Sequence, residues 1–141
     1  MPEVLLADDN PSDVYLIREA LREHAVDCVL QVVSDGKDAL GAISGEAGAP
    51  SISLIILDLN LPRHDGIEIL QKLRESAWFD HVPVVVLTSS DSPRDRVLAG
   101  QLGATRYLRK PSSLEEFLSL GAVFKELLGQ TEKASRAQGG L

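Results

Sequence analysis

Short runs of aliphatic and β-branched residues recur along the chain at a nearly regular spacing, and a segment with helical periodicity follows each run. The runs cover residues 4–7, 28–33, 52–57, 84–87 and 105–109. The third run contains Leu54-Ile55-Ile56-Leu57, which makes a strand apolar on both faces. Such strands occur where helices cover both sides of a parallel sheet. The chain is therefore expected to alternate five strands with five helices.

Each helical segment opens with residues typical of a helix N-terminus. Asn10 is followed by Pro11, and Asp13 lies three residues after this predicted cap. The other helices begin at similar signals, which are Asp35-Gly36, Asp65-Gly66, Ser92-Pro93 and Ser112-Ser113. The pattern predicts an α/β fold, a five-stranded parallel doubly wound sheet. Its expected strand order is 2-1-3-4-5, the flavodoxin-like (βα)5 arrangement.

The length of 141 residues fits one domain with its own core. We place this domain at residues 1–128 and a flexible C-terminal tail at residues 129–141, which lack apolar periodicity. Residues 44–51 are rich in Gly, Ser and Pro and are predicted to form a loop. Trp78 and Phe79 precede the fourth strand and are expected to pack against the third helix.

Composition excludes several classes of function. A net charge of -7 with 4% aromatic residues argues against a nucleic-acid partner. The longest apolar stretches are far shorter than the roughly 18 residues of a membrane helix, so no membrane association is expected. The lone Cys28 cannot form an internal disulfide, and the first residues do not resemble a signal peptide. We therefore expect a cytoplasmic protein.

Acidic residues follow the first and third strands. In the predicted strand order, Asp8, Asp9 and Asp58 meet at the carboxyl edge of the sheet, where doubly wound folds bind ligands. Two unit charges 4 Å apart repel by about 4 kcal/mol at an effective dielectric near 20, so this cluster needs a cation or raised pKa values. Oxygen ligands of this kind suit Mg²⁺. Thr88 and Lys110, at the ends of strands 4 and 5, should face the same edge.

These residues resemble the receiver domain of two-component response regulators. The similarity covers about residues 3–128 and is carried by Asp8-Asp9, Asp58 with Pro62 and Asp65-Gly66, Thr88, and Lys110-Pro111. The resemblance implies that Asp58 is the nucleophile that accepts a phosphoryl group from the histidine of a partner histidine kinase. It also implies that Asp9, Asp58 and the backbone carbonyl of Asn60 bind Mg²⁺ directly, and that Asp8 does so through a water molecule.

The resemblance implies further roles. Lys110 would bind a phosphoryl oxygen, while Thr88 and Tyr107 would form the conformational switch. The Lys110–Pro111 peptide bond would be cis. Residues 9–14, 57–63 and 82–88 are similar to the subfamily that serves bacterial phytochrome kinases. Only 13 residues follow Leu128, so a stand-alone receiver is expected, a signalling phospho-acceptor rather than an enzyme.

Charge is distributed unevenly. Residues 94–110 carry a net charge of +4 and the rest of the chain -11. The basic residues of this segment are Arg94, Arg96, Arg106, Arg109 and Lys110. A solvated face that protects an exposed sheet edge and a partner surface both account for this. The resemblance favours a homodimer through the fourth helix and fifth strand, sensitive to phosphorylation.

Three other functions are compatible with parts of the pattern. An Asp-nucleophile phosphatase of the haloacid dehalogenase type would need a DxD loop after the first strand, where this chain has Asp8-Asp9-Asn10-Pro11. An FMN-binding flavodoxin would need a phosphate loop there, and Asp13 would oppose the phosphate. A binding module that keeps the fold but is never phosphorylated is a third possibility, which the intact acidic pocket disfavours.

Overall fold

The five strands and five helices alternate as predicted. The structure, a computed structural model, describes residues 1–44, 51–76 and 79–139. The strands are β1 (Glu3–Ala7), β2 (Val29–Val33), β3 (Ile52–Leu57), β4 (Val84–Thr88) and β5 (Arg106–Arg109). The helices are α1 (Pro11–Glu23), α2 (Gly36–Ile43), α3 (Gly66–Glu75), α4 (Pro93–Gln101) and α5 (Leu114–Gly139). Four strands differ from their predicted bounds by one residue at one end.

The sheet is parallel throughout and has the order β2-β1-β3-β4-β5, which confirms the predicted topology. Ala7 pairs with Leu57, so the residues that follow β1 and β3 leave the sheet side by side. Leu57 in turn pairs with Val86, and Thr88 pairs with Arg109. The register therefore brings the ends of four strands to one edge.

Helices cover both faces of the sheet, as the apolar strands require. Side chains of β1 alternate between two cores, with Leu5 on one side and Leu6 on the other. One core contains side chains of α2 and α3, and the other those of α1 and α5. Phe79 is buried in the first core, as predicted, while Trp78 and residues 45–50 of the predicted loop lie outside the described residues. No helix in the described part of the chain has the length and apolarity needed to span a membrane.

The predicted N-caps are present. Asn10 Oδ1 accepts hydrogen bonds from the backbone N–H groups of Ser12 and Asp13, at 2.9 and 3.4 Å. Asp35 and Asp65 accept one such bond each at the starts of α2 and α3. These caps satisfy N–H groups that lack a partner within the helix, and so fix where each helix begins.

The last helix extends beyond Leu128, where the apolar periodicity of its sequence ends. We expected the chain to leave the helix near Leu128, but α5 continues to Gly139. The added segment contains several good helix formers, so backbone hydrogen bonding continues without a second apolar face. The flexibility predicted for residues 129–141 is a separate property and stays a prediction.

The isomer of the Lys110–Pro111 peptide bond, which the sequence leaves open, is trans in the structure. The resemblance implied a cis Lys110–Pro111 bond, whereas the described residues contain no cis peptide bond. The trans form is the one that X-Pro bonds generally prefer, by about 0.5–1 kcal/mol.

Candidate phosphoryl-acceptor site

Two buried carboxylates lie at the centre of the carboxyl edge. Asp8 and Asp58 directly follow β1 and β3 and are only 2% and 4% exposed. The backbone N–H of Asp58 donates to the carbonyl of Ala7, and that of Asp8 donates to the carbonyl of Val33. Sheet hydrogen bonding thus extends one residue beyond the strands and holds both side chains at fixed positions.

Each carboxylate is oriented by the loop that follows it. Asp8 Oδ1 accepts from the backbone N–H of Asn10, and Asp58 Oδ1 accepts from that of Asn60, both at 2.9 Å. In the β3–α3 loop the N–H of Gly66 donates to the carbonyl of Leu59. A Cβ atom on Gly66 would lie 2.7 Å from the Asp58 carbonyl oxygen, so this close approach requires glycine. The Oδ2 atoms of both aspartates remain directed into the pocket.

The Lys110 ammonium group fills the space between these oxygens. Its Nζ lies 2.6 Å from Asp58 Oδ2 and 3.1 Å from Asp8 Oδ2. A third carboxylate joins them, because Asp13 Oδ2 is 2.7 Å from the same nitrogen. The Lys110 side chain is only 10% exposed. Lys110 therefore belongs to the acidic pocket. It is not part of the basic surface, although it lies in the basic segment of residues 94–110.

The pKa values of the pocket follow from burial and pairing. Burial raises the pKa of the Asp8 carboxyl above its usual value, although Asn10 and Lys110 act in the opposite direction. Burial alone would lower the pKa of Lys110. Hydrogen bonds to Asp13 and Asp58, with the charges of Asp58 and Asp8, outweigh burial and raise it. The ammonium is therefore charged at every physiological pH.

The acidic residues fit a divalent cation. Asp8, Asp9 and Asp58 each offer a carboxylate oxygen, and these oxygens all lie within 4.8 Å of one another. Asp9 is exposed, so this side of the cluster is open to solvent. Together with Asp13, the pocket contains four carboxyl groups and one ammonium, a formal charge of three negative units when every carboxyl is ionised. Oxygen donors with partial solvent access are the surroundings that Mg²⁺ prefers.

Thr88 and Tyr107 are connected through the loop that follows β4. Thr88 is fully buried, and its Oγ1 accepts from Asn60 Nδ2 and from the backbone N–H of Ser90, both at 3.3 Å. The Tyr107 hydroxyl donates to the backbone carbonyl of Ser90 at 3.2 Å. The Ser90 hydroxyl donates to Asp95 Oδ2 at 2.8 Å. A single residue thus links the end of β4, the start of α4 and the ring of Tyr107.

Sequence reasoning placed Asp13 in the first turn of α1 and used its charge only to argue against an FMN site, so it missed the contact with Lys110. A signal was present. In a parallel sheet with alternating helices, each helix that follows a strand begins at the carboxyl edge. An acidic residue in the first turn after β1 therefore starts close to the pocket, five residues after Asp8.

Comparison with known proteins identifies the family to which a chain with this pocket belongs. The family model for the response regulator receiver domain matches residues 4–120. The chain belongs to the receiver domain family. It is a response regulator of two-component signalling, and the interpretation of the sequence is confirmed at this level.

Similar proteins include response regulators connected with phytochromes. The receiver is 32% identical to response regulator Rcp1 of Synechocystis sp. over 120 residues, which are 83% of this chain and 82% of Rcp1. The crystal structure of the phosphorylated cyanobacterial phytochrome response regulator RcpA superposes with a TM-score of 0.84 at 32% identity, covering 92% of this chain and 95% of RcpA. The Mn²⁺-bound form of Rcp1 gives a TM-score of 0.79 at 31% identity, covering 86% and 89%.

Longer proteins match as well. The transcriptional regulatory protein TrcR of Mycobacterium tuberculosis is 38% identical over 116 residues, and the match covers 82% of this chain and 42% of TrcR. The receiver fold is therefore shared between response regulators of different lengths.

Proposed function

We propose that Asp58 accepts a phosphoryl group from the phosphohistidine of a histidine kinase in a Mg²⁺-dependent reaction. The observation that carries the proposal is the buried Asp58 carboxylate with the Lys110 ammonium 2.6 Å from its Oδ2. In the reaction, a carboxylate oxygen of Asp58 forms a bond to phosphorus. The P–N bond breaks, and its electron pair returns to the imidazole nitrogen of the kinase.

The residues around Asp58 position and stabilise the transferring group. Lys110 supplies a positive charge to a phosphoryl oxygen from a fixed position, which is the main requirement of phosphoryl transfer. Asp9, Asp58 and the Asn60 carbonyl are the proposed direct ligands of Mg²⁺, with Asp8 acting through water. When bound, Mg²⁺ neutralises the charge that develops on the phosphoryl oxygens.

Thr88 and Tyr107 are the proposed switch residues. The Thr88 hydroxyl accepts a hydrogen bond from Asn60, in the loop that follows Asp58. It is therefore positioned to respond to phosphorylation of Asp58. Movement of this hydroxyl toward a phosphoryl oxygen would break its bond with the Ser90 N–H. Because Ser90 also binds Tyr107, the ring would respond.

The proposed partner kinase is a phytochrome. Support comes from the similarity to Rcp1 and to the phytochrome response regulator RcpA. We place this signalling in the cytoplasm, and the protein acts as a phospho-acceptor rather than as an enzyme. The test compares phosphoryl transfer from a phytochrome kinase with transfer from unrelated histidine kinases, at matched concentrations. Faster transfer from the phytochrome supports the pathway, and equal or absent transfer contradicts it.

A homodimer through α4 and β5 is proposed as the output. Arg94, Arg96, Arg106 and Arg109 are exposed on this side, and Val97 between them is 58% exposed. Analytical ultracentrifugation of the phosphorylated and unphosphorylated protein tests the proposal. A monomer in both states contradicts it.

Mass spectrometry tests the phospho-acceptor directly. The intact protein is incubated with acetyl phosphate and Mg²⁺, and compared with Asp58→Asn and with Asp38→Asn, whose substituted residue is exposed in the first turn of α2. We expect one phosphoryl adduct in the wild type and in Asp38→Asn, and none in Asp58→Asn or with EDTA. No adduct in any protein would favour the phosphorylation-independent binding module, while rapid release of phosphate without an adduct would favour the phosphatase.

A further inference from the structure

Asp13 enters the acidic pocket from helix α1, whereas the other acidic residues of the pocket follow strands β1 and β3. It lies in the first turn of α1, where the Asn10 cap fixes the backbone by accepting from its N–H. Its side chain is 15% exposed, and its Oδ2 binds Lys110 Nζ at 2.7 Å. Asp58 Oδ2 binds the same nitrogen at 2.6 Å. The two carboxylates therefore contact one ammonium group at nearly equal distances.

The Lys110 ammonium donates hydrogen bonds to Asp13 and Asp58 and forms a third ion pair with Asp8 at 3.1 Å. Lysine carries three N–H groups, and carboxylates of Asp8, Asp13 and Asp58 lie around them. A phosphoryl oxygen that binds Lys110 must share the ammonium charge with these carboxylates. Asp58 carries the phosphoryl group itself, and Asp8 belongs to the proposed metal cluster. Asp13 has neither role, so it is the carboxylate that competes with the phosphoryl oxygen.

We infer that Asp13 is a positioning residue that holds Lys110 in the unphosphorylated receiver and competes with the phosphoryl group for its charge. The inference deepens the proposed function and rests on it. Phosphorylation adds negative charge at Asp58, next to a carboxylate that already shares its counter-ion. Asp13 therefore weakens capture of the phosphoryl group and keeps the modified state reversible.

The inference predicts opposite changes for two ligands of one pocket. In Asp13→Asn, Lys110 loses a charged competitor and the pocket repels an anion less, so a phosphoryl mimic binds more tightly. The pocket also attracts a cation less, so Mg²⁺ alone binds more weakly. Substitutions that merely loosen the fold would weaken both. Asp13→Glu keeps the charge and should restore values close to those of the wild type.

The experiment uses the full chain and two titrations by calorimetry. The first measures the affinity for Mg²⁺ alone, and the second measures that for beryllofluoride, a tetrahedral mimic of the phosphoryl group, in saturating Mg²⁺. Asp38→Asn is the matched control, because Asp38 occupies the equivalent first-turn position of α2 and is exposed. Thermal unfolding confirms that each variant is folded.

We expect Asp13→Asn to bind beryllofluoride about fivefold more tightly and Mg²⁺ about twofold more weakly, with Asp38→Asn unchanged. Unchanged or weaker beryllofluoride binding by Asp13→Asn, while the wild type binds it, overturns the inference and leaves the proposed function intact. Failure of the wild type itself to bind beryllofluoride overturns both.

Discussion

The hydroxyl of Tyr107 donates a hydrogen bond to the backbone carbonyl of Ser90 at 3.2 Å, and the backbone N–H of the same Ser90 donates to the Thr88 hydroxyl. The two proposed switch residues are therefore connected through one peptide segment. The Arg96 guanidinium lies 4.7 Å above the Tyr107 ring and holds it from the side of α4.

Tyr107→Phe removes the hydroxyl and keeps the ring. We expect the free energy of unfolding to fall by about 1 kcal/mol, the usual net value of one hydrogen bond, and the Ser90 amide to exchange with solvent more rapidly. Urea denaturation and amide exchange by NMR measure the two effects. Tyr15→Phe is the control, because Tyr15 is 61% exposed on α1. Equal changes in both variants would contradict the connection between Tyr107 and Ser90.

Asp8→Asn should stabilise the metal-free protein at neutral pH. Because burial raises the pKa of Asp8 above its usual value of 3.8, the folded state binds this proton more tightly than the unfolded state. The stability that protonated Asp8 contributes is fully present below the pKa that Asp8 has in the unfolded chain. It is lost as the pH rises through the higher pKa that Asp8 has in the folded protein. At about pH 7 the wild type has lost it, whereas the neutral amide of the variant keeps most of the benefit.

Thermal unfolding in EDTA between about pH 4 and pH 8 tests this prediction for Asp8. We expect the variant to unfold a few degrees above the wild type at neutral pH and the difference to shrink toward acid. Adding Mg²⁺ should raise the Tm of the wild type more than that of the variant, because the wild-type pocket holds one more carboxylate. A pH-independent difference would argue against the raised pKa.

Arg74, at the end of α3, should be one of the most sensitive positions outside the pocket. Its guanidinium donates to five backbone carbonyls, those of Phe79, Asp80, Val82, Leu102 and Gly103. These belong to the segment before β4 and to the turn before β5. We expect Arg74→Met to lower the free energy of unfolding by about 3 kcal/mol, since five backbone carbonyls, three of them in partly buried contacts, lose a charged donor.

Denaturant unfolding of Arg74→Met is compared with that of Arg22→Met. The Arg22 side chain is 79% exposed and pairs with Glu19 at 3.6 Å, so its replacement should change stability by less than about 0.5 kcal/mol. If both variants lost the same stability, the carbonyl contacts of Arg74 would have no special importance.

Gly66→Ala should distort the loop that follows Asp58. A Cβ atom there would lie 2.5 Å from Leu59 Cα and 2.7 Å from the Asp58 carbonyl oxygen, and backbone cannot move aside as a flexible side chain can. We expect a loss of about 2 kcal/mol and a lower yield of the phosphoryl adduct. Gly100→Ala in α4, where nothing lies within 4 Å, should instead gain about 0.5–1 kcal/mol. Similar adduct yields from the two variants would contradict the prediction for the loop.

Much of the fold follows from local signals. Residues 54–57 are apolar on both faces, which requires helices on both sides, and caps such as Asn10 mark where helices begin. The positions of Asp8, Asp58 and Lys110 follow because parallel strands end at one edge. These inferences need only the period of the sequence and the topology of the sheet.

Other features depend on side-chain directions that periodicity does not carry. An acidic residue such as Asp13 is expected in the first turn of a helix for local reasons. That local pattern does not indicate its contact with Lys110, 97 residues away. Arg74 matches the usual pattern of a basic residue in a last helical turn, and only the folded chain brings five carbonyls to it. The end of α5 was placed too early because the apolar periodicity of the sequence ends near Leu128 while helix propensity continues.

The long sequence separation within the pocket also affects how the receiver matures. Lys110 follows β5, an edge strand that pairs only with β4, and it lies 52 residues after Asp58. Without β5, the residues around β1 to β4 would place Asp8, Asp13 and Asp58 together with no ammonium charge to balance them. The arrival of β5 both closes the sheet and supplies that charge. The positive charge that balances the acidic pocket therefore comes from a part of the chain that is synthesised after β1 to β4.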